Sequence, residues 1–253
     1  VGLIDETTGP AATSRLCVAV DTPQHAALGV LDYRGMHAWP PGSLVRVPLG
    51  RRTVTGLVWA AEGDERWTLA QLKDVVEVLP DLPPLPEPWL KLIKFAAGYY
   101  QRSLGEMAMM VLPPELRQLD AVQWARRVKR LQKSLKDDAK AAASQPEVHW
   151  PEPTPEQALV LQALAQATPA QPPVSLLWGS TGSGKTEVYL LQAQAALAQG
   201  RQVLIMVPEI NLTPQLEARV AERFAGRVIV SLHSGLTPAQ RLRNWVLAHL
   251  GLA

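Results

Sequence analysis

Gly179-Ser180-Thr181-Gly182-Ser183-Gly184-Lys185-Thr186 fits G-x-x-x-x-G-K-[ST] at every fixed position. The chemistry of that pattern is phosphate binding. Glycines let the backbone wrap an anion, so that successive N–H groups point inward. The N-terminus of a following helix adds positive potential. Lys185 is spaced to reach the β- and γ-phosphates of a nucleotide, and the Thr186 hydroxyl to ligate Mg²⁺. A Gly/Ser-rich turn with a capping threonine is the other reading. It leaves unexplained why an apolar run precedes the motif and a helical pattern follows it. The motif specifies nucleotide binding and does not name a reaction.

Two later segments carry short polar groups beyond apolar runs. They are Val207-Pro208-Glu209-Ile210-Asn211-Leu212-Thr213-Pro214-Gln215 and Leu232-His233-Ser234-Gly235-Leu236. Open α/β sheets place ligands beyond the carboxyl ends of their strands. Polar groups and helix N-termini there can hold a nucleic-acid backbone. Ordinary loop punctuation, with Thr213 as N-cap and Pro214 at N1, accounts for the same residues. A third cluster is basic. Arg126, Arg127, Lys129, Arg130, Lys133, Lys136 and Lys140 surround a helical stripe of Trp124, Val128, Leu131 and Leu135. Such a helix suits a DNA backbone, and equally a solvated face covering a neighbour.

These residues need a frame. Between 15 and 79 the chain reads as five short strands: 16–20, 29–33, 44–49, 53–59 and 75–79. Each is apolar or β-branched and bounded by Gly, Pro or Asp. Five strands in so short a span predict a small barrel, which hides sheet edges. Pro80, Pro83, Pro84, Pro86 and Pro88 make a stiff connector. Trp89, Ile93, Ala96 and Tyr100 then form a helical stripe, and Ser103 with Glu106 predicts a capped second helix. Residues 141–155 are a linker by composition. Beyond it, strands at 174–178, 202–207 and 227–232 alternate with helices at 156–166, 185–198, 212–224 and 237–250. That alternation predicts a parallel, doubly wound α/β sheet with right-handed crossovers. The expected layout is a tail at 1–14, a first module at 15–115, a basic helix and linker at 116–155, and an α/β unit at 156–253.

Composition narrows the class. Apolar residues make up 47% of the 253, enough for a core, so wholesale disorder is excluded. The net charge of +2 identifies no partner, so a nucleic-acid surface has to come from local clusters. With one cysteine, Cys17, the chain can build neither an internal disulfide framework nor a cysteine zinc cluster, which fits a reducing cytoplasm. No apolar run is long enough to cross a bilayer. Residues 1–14 lack the apolar stretch of a signal peptide.

The segments 178–189, 207–215 and 232–236 (W-G-S-T-G-S-G-K-T-E-V-Y, V-P-E-I-N-L-T-P-Q and L-H-S-G-L) resemble, in order and spacing, the first motor lobe of the PriA family of bacterial replication-restart helicases. L-D-Y (31–33), R-V-P-L-G (46–50), L-K-D-V-V-E-V-L (72–79) and the Tyr99-Tyr100 helix resemble the same family's N-terminal module. Residues 116–150 lie outside the likeness. The resemblance implies an OB-like DNA-binding barrel followed by a RecA-like P-loop parallel-sheet lobe. It implies a 3′→5′ superfamily 2 DNA helicase that uses ATP and Mg²⁺, binds abandoned forks and reloads the replicative helicase. The implied partners are forked DNA with a nascent 3′ end, single-stranded DNA, primosome proteins and single-strand-binding proteins. The implied location is the cytoplasm, with the bacterial nucleoid, and no membrane is involved.

Carried over by matching positions, Asp32, Tyr33, Gly50 and Lys73 would line a pocket for the 3′ end of the nascent strand. The carboxylate would accept a hydrogen bond from the 3′-OH, Tyr33 would stack on a base and Lys73 would meet a phosphate. Gln157 resembles the family's adenine-reading glutamine. From the residues alone, a turn Asp, a core Tyr, a tight-turn Gly, a solvated Lys and a helix-start Gln remain open.

Three departures from the family pattern stand out. The winged-helix domain expected between barrel and motor is missing or vestigial. No D-E-x-H motif occurs up to Ala253. The second lobe, its arginine finger and the cysteine-rich zinc insertion are likewise absent up to that point, so zinc is expected only in family regions beyond residue 253. Two expectations follow: part of a longer ATP-driven helicase, or a fork-binding scaffold for primosome assembly that does not hydrolyse ATP. In either case this chain alone is expected not to turn ATP over.

Overall fold

A computed structural model describes residues 13–22, 29–63, 65–142, 150–166, 174–208 and 213–253. Its strands are β1 Ser14–Val20, β2 Leu31–Gly35, β3 Leu44–Leu49, β4 Arg52–Trp59 and β5 Glu77–Val78. Its α-helices are α1 Glu87–Tyr100, α2 Leu104–Met110, α3 Ala121–Ala142, α4 Pro155–Ala165, α5 Lys185–Ala198, α6 Thr213–Arg223 and α7 Pro238–His249. The chain divides into two compact units. One runs up to Ser134 and includes Leu232–Leu252; the other is Leu135–Ser231 with Ala253.

In the first unit the five strands form one antiparallel sheet, ordered β2-β1-β4-β3-β5. The sheet curls until both edges meet the segment before β5. Arg34 N donates to the Lys73 carbonyl (2.8 Å), and Val75 N donates to the Arg34 carbonyl (2.9 Å). From β3, the neighbour of edge strand β5, the Arg46 carbonyl accepts from Val76 N at 2.8 Å. Edge backbone groups are thereby paired, the liability that small sheets must resolve. The β3–β4 hairpin is a two-residue turn, Gly50-Arg51, with Leu49 opposite Arg52. Gly50 sits at φ +61°, the left-handed backbone that the first central position of such a turn favours.

The continuous apolar run in β1 has a direct cause: both of its faces are covered. Leu16, Val18 and Val20 point into the barrel with Tyr33, Val45, Val47 and Val58. Ala19 points outward with Leu44 and Leu57, under Ile93 of α1 and Met107 of α2. Helix α2 is capped by Ser103, whose hydroxyl accepts from Glu106 N at 3.2 Å. Its Gly105 lies directly on the backbone of Val20.

Helix α3 is fixed at its start. Asp120 and Gln123 cap it reciprocally, and the Ala121 N–H donates to Glu77 Oε2 at 3.2 Å. Trp124 is 1% exposed, and its indole N–H donates to the Pro80 carbonyl at 2.6 Å. Helix α7 belongs to this unit as well: Leu242 and Val246 join the core that holds Trp124 and Val128.

The regular elements of residues 155–249 are helices, and among the described residues there is no strand in that region. This corrects the expected RecA-like parallel-sheet lobe. Among the described residues, the three apolar runs that predicted it form no strand pairs. Val174, Leu176 and Trp178 are 95%, 85% and 88% exposed, and Leu204 and Met206 are similarly bare. A buried parallel strand needs neighbours for its ladder bonds and helices over both faces. These runs have neither. The core of the second unit is made instead by side chains from helices and their flanks: Leu190, Ala193 and Phe224, backed by Trp150, Leu197 and Val220. Arg223 lies over the Trp150 ring at 5.2 Å and pairs with Glu187 at 2.7 Å, tying α6 to α5. No helix among the described residues is long and apolar enough to cross a membrane.

Candidate functional site

The strand register of β1 and β2 builds a polar patch. Cys17 lies opposite Asp32 and Arg15 opposite Arg34, all on the outward face. Like charges directly opposite each other repel, and each arginine here has its own carboxylate. Arg15 Nη1 is 3.1 Å from Asp32 Oδ2, and Arg34 forms a two-pronged pair with Asp74 at 2.5 and 2.7 Å. That second pair lies at the surface, partly exposed; its hydrogen bonds hold the Asp74 carboxyl below its usual range and the Arg34 guanidinium above its own. Arg15 also donates to the Trp67 carbonyl.

Asp32 keeps only 9% of its side chain exposed. Its Oδ1 accepts from the Cys17 thiol at 3.4 Å, and the same sulfur reaches the Ala61 carbonyl at 3.2 Å. The carboxylate is thus oriented from two sides. Burial, and then the bond to Asp32, push the Cys17 thiol from its ordinary 9.0 up to about 11. Folded Cys17 therefore stays a neutral donor at physiological pH. The linked stability is fully present below 9 and is lost as pH rises towards 11. Native Cys17 should react with iodoacetamide at pH 8 about a hundredfold more slowly than in the unfolded chain, since the thiolate is the nucleophile. Mass spectrometry of timed samples measures this. Equal native and unfolded rates would contradict the assigned environment.

The remaining residues implied for a 3′-end pocket are placed unevenly. Tyr33 follows Asp32 in the strand and so faces the other way. It is 3% exposed within the barrel core, and its hydroxyl donates to the Pro48 carbonyl at 3.2 Å. Its ring is not presented for base stacking, which corrects that expectation; alternation along the strand is the reason. Exposed aromatic rings of this unit include Trp67 and, on α1, Trp89, Phe95, Tyr99 and Tyr100. Gly50 is exposed at the hairpin tip. Lys73 is exposed on the segment that hydrogen-bonds to Arg34, bringing its backbone beside the polar patch. Sequence reasoning missed Arg15, Cys17 and Arg34. The available signal was the antiparallel pairing of two runs each flanked by an arginine, Arg15 before the first and Arg34 after the second, which places those arginines opposite each other.

The basic helix is also divided. Val128 and Trp124 face the core. Arg127 and Arg130 flank that face, beside Ala239 and Arg243 of α7, whereas Arg126, Lys129 and Lys133 are exposed around the rest of the helix.

The second unit carries the phosphate loop. Residues 181–184 form a tight turn, with Gly182 at φ +82° and Gly184 at φ +80°, and α5 begins at Lys185. The Lys185 ammonium donates to the Gly179 and Ser180 carbonyls, at 2.9 and 2.6 Å, and lies 3.5 Å from Ser183 Oγ. Gln157 performs two roles. It completes the capping box of α4 with Thr154, and its amide nitrogen donates to the Gly184 carbonyl at 3.3 Å. A Cβ on Gly184 would fall 2.6 Å from that nitrogen, which the flexible glutamine could move; the backbone at φ +80° is what favours glycine here. Thr186 follows in the first turn of α5. Left-handed glycines, a lysine over the loop and a hydroxyl at the helix start are a donor set that suits a polyphosphate with Mg²⁺.

Residues 209–212 of the second polar segment lie outside the described residues. In the third, His233 Nδ1 accepts from Gly235 N at 3.2 Å, and Arg241 donates to the His233 and Ser234 carbonyls. That segment belongs to the first unit.

The first unit thus presents a curled β-module with a charged outer patch, and the second a glycine-rich turn with a lysine bonded across it. Comparison with known proteins adds the family. Residues 17–113 match the family model described as "3'DNA-binding domain (3'BD)", and residues 154–250 match that of a DEAD/DEAH box helicase. Over 200 residues, 79% of this chain, it is 32% identical to the replication restart protein PriA of Rickettsia felis, covering 27% of that relative. It is 53% identical over 78 residues to PriA of Haemophilus influenzae and 46% over 76 residues to PriA of Bacillus subtilis, covering 31% and 30% of this chain and 10% and 9% of those relatives. The chain belongs to the PriA family of superfamily 2 helicases. It spans roughly a quarter of the length of the Rickettsia felis relative (27%). At the family level, the DEAD/DEAH box match implies ATP with Mg²⁺, and the 3′ DNA-binding match implies DNA as partner.

Proposed function

We infer that this chain supplies the DNA-end-binding and nucleotide-binding parts of a replication-restart protein that acts on stalled or repaired forks. The intact protein couples that binding to ATP-dependent 3′→5′ unwinding and to primosome assembly. The observation that carries the reading is the Asp32 carboxylate, held in place by Arg15 and Cys17 within the segment that matches a 3′ DNA-binding domain. A fixed carboxylate is an acceptor for a terminal 3′-OH, and Lys73 with the Gly50 turn supplies a cation and close backbone approach for the terminal phosphodiester. Loop residues 179–184 would cradle the phosphates of ATP, with Lys185 on the outer phosphates, Thr186 on Mg²⁺ and Gln157 on the adenine. When bound, Mg²⁺ neutralises phosphate charge. A fork with an accessible nascent 3′ end should bind more tightly than one whose nascent strand is absent. Asp32→Ala should remove that difference, and a difference that persists in the variant would sink the assignment.

The outward cations of α3 add affinity that does not depend on sequence. Replacing Arg126, Lys129 and Lys133 together with Glu should reduce the slope of log K against log[salt] by about two to three. An unchanged slope would make this face merely solvated.

A further inference from the structure

The segment 67–73 frames the outward patch of β1 and β2. The Arg15 guanidinium holds Asp32 through Nη1 and the Trp67 carbonyl through Nη2. The carboxylate and the Trp67 carbonyl are therefore separated by no more than one guanidinium and its two hydrogen bonds, roughly 8 Å. The loop that leads to Trp67 rests on the same arginine: a Cβ on Gly63 would fall 2.1 Å from Arg15 Cδ. Beyond Trp67, the Gln71 side chain folds back to accept from both the backbone N–H and the hydroxyl of Thr68, each at 2.9 Å. Leu72 is buried, and the Lys73 carbonyl accepts from Arg34 N at 2.8 Å. Both ends of the segment are tied to the strands that carry Asp32, and Trp67 is tied through its backbone.

That leaves the indole ring for other use. It is 51% exposed and forms no ring pair among the described residues. Other aromatic rings of the unit are engaged. Trp39 meets His37 edge-on, Phe95 and Tyr99 stack on one another, Tyr100 packs against Tyr99, and Trp59 lies on the core. Tyr33 is enclosed in the barrel. Glu62 and Glu65 are exposed on the loop before Trp67, so that side does not favour a phosphate. A base is different: every base has a π-face, and stacking needs neither a cation nor a hydrogen-bond code.

We propose that Trp67 is the stacking platform for the 3′-terminal base, so that the site grips the last nucleotide separately by its hydroxyl and by its base. This rests on the reading of Asp32 as the acceptor for the 3′-OH. The phosphodiester lies toward Lys73, away from the two glutamates. The strength of the grip follows stacking strength: purine, then pyrimidine, then no base.

The test uses the full 253-residue chain and fluorescence anisotropy with forks that differ only in the last nascent nucleotide. That nucleotide carries adenine, thymine or no base, always with a 3′-OH, and lies opposite an abasic template position so that it never pairs. Wild type should bind the adenine end about tenfold more tightly than the baseless end, toward the low end for one base–aromatic stack, with thymine between. Trp67→Ala should bind all three ends alike, at the baseless level, and Trp67→Phe should restore the order. The alanine variant keeps the backbone carbonyl that Arg15 uses, so its preference for 3′-OH over 3′-phosphate should equal that of wild type. Trp89→Ala, which removes an exposed ring of α1, should leave the order unchanged. Equal binding of the three ends by wild type overturns the proposal. A base dependence that survives Trp67→Ala, or that falls as far in Trp89→Ala, overturns it too. Loss of the hydroxyl preference in Trp67→Ala would make Trp67 a structural support and overturn it as well. Failure of the Asp32 reading looks different: wild type then binds 3′-OH and 3′-phosphate ends alike, whatever the last base.

Discussion

Gly105→Ala should lower the stability of the first unit by about 3 kcal/mol, toward the upper end of overpacking penalties. A Cβ at this position would lie 1.8 Å from the Val20 carbonyl oxygen, 2.3 Å from its carbon and 3.0 Å from Asp21 N. All three atoms are backbone of β1 or its immediate continuation, so no side chain can swing aside. Helix α2 would have to lift off the sheet, exposing Ala19 and the face it shares with Leu57 and Met107. Gly98 is the internal control. It lies in α1, and a Cβ there meets nothing within 4 Å. Gly98→Ala should therefore stabilise by about 0.5–1 kcal/mol, through helix propensity alone. Urea unfolding of the two variants beside wild type measures both. Equal effects would mean that α2 does not rest on β1 as described.

Lys185→Ala should reduce Mg²⁺–ATP affinity by about a hundredfold, the upper part of what loss of one charge-assisted contact gives. The ammonium is the only charged donor among the described contacts of the loop, bonded to the Gly179 and Ser180 carbonyls and ready to exchange them for phosphate oxygens. The fold around it should persist, since α5 is anchored elsewhere by Val188, Leu190 and the Glu187–Arg223 pair. Isothermal titration with a non-hydrolysable ATP analogue reads the affinity directly. Unchanged affinity in the variant would remove Lys185 from the site. In the same assay Gln157→Ala should narrow any preference for ATP over GTP.

How far the sequence reveals this molecule depends on whether neighbours along the chain suffice to determine a feature. The barrel strands were legible because alternation, turn glycines and prolines are local signals, and Gly50 marks a turn that only its own backbone requires. The glycine turn before α5 was legible for the same reason: its residues are contiguous. Helices α4, α5 and α7 announce themselves through Thr154, the loop glycines and Thr237 at their starts. Apolar runs are different. The stretch 202–207 reads as a buried strand, yet its burial depends on partners that pattern alone does not supply, and here it stands exposed. Tyr33 was misread because one residue of register decides between pocket and core. Arg15 and Cys17 went unseen because their relation to Asp32 exists only across a strand pair. The attachment of α7 to the first unit is a long-range contact with no local signature.

The central claim is that Asp32 receives a 3′-hydroxyl. The direct measurement compares binding of two otherwise identical forks, one ending its nascent strand in 3′-OH and the other in 3′-phosphate. A hydrogen bond from the hydroxyl to the carboxylate is charge-assisted, whereas a phosphate places like charge beside it. Arg15 pairs with Asp32 but also spreads to the Trp67 carbonyl, so it orients the carboxylate without replacing it. Wild type should prefer the hydroxyl by about tenfold, the lower end for a bond of this kind. Asp32→Ala should bind both forks alike while keeping the salt-dependent backbone affinity. Equal binding of the two forks by wild type would contradict the account and return Asp32 to a structural partner of Arg15 and Cys17.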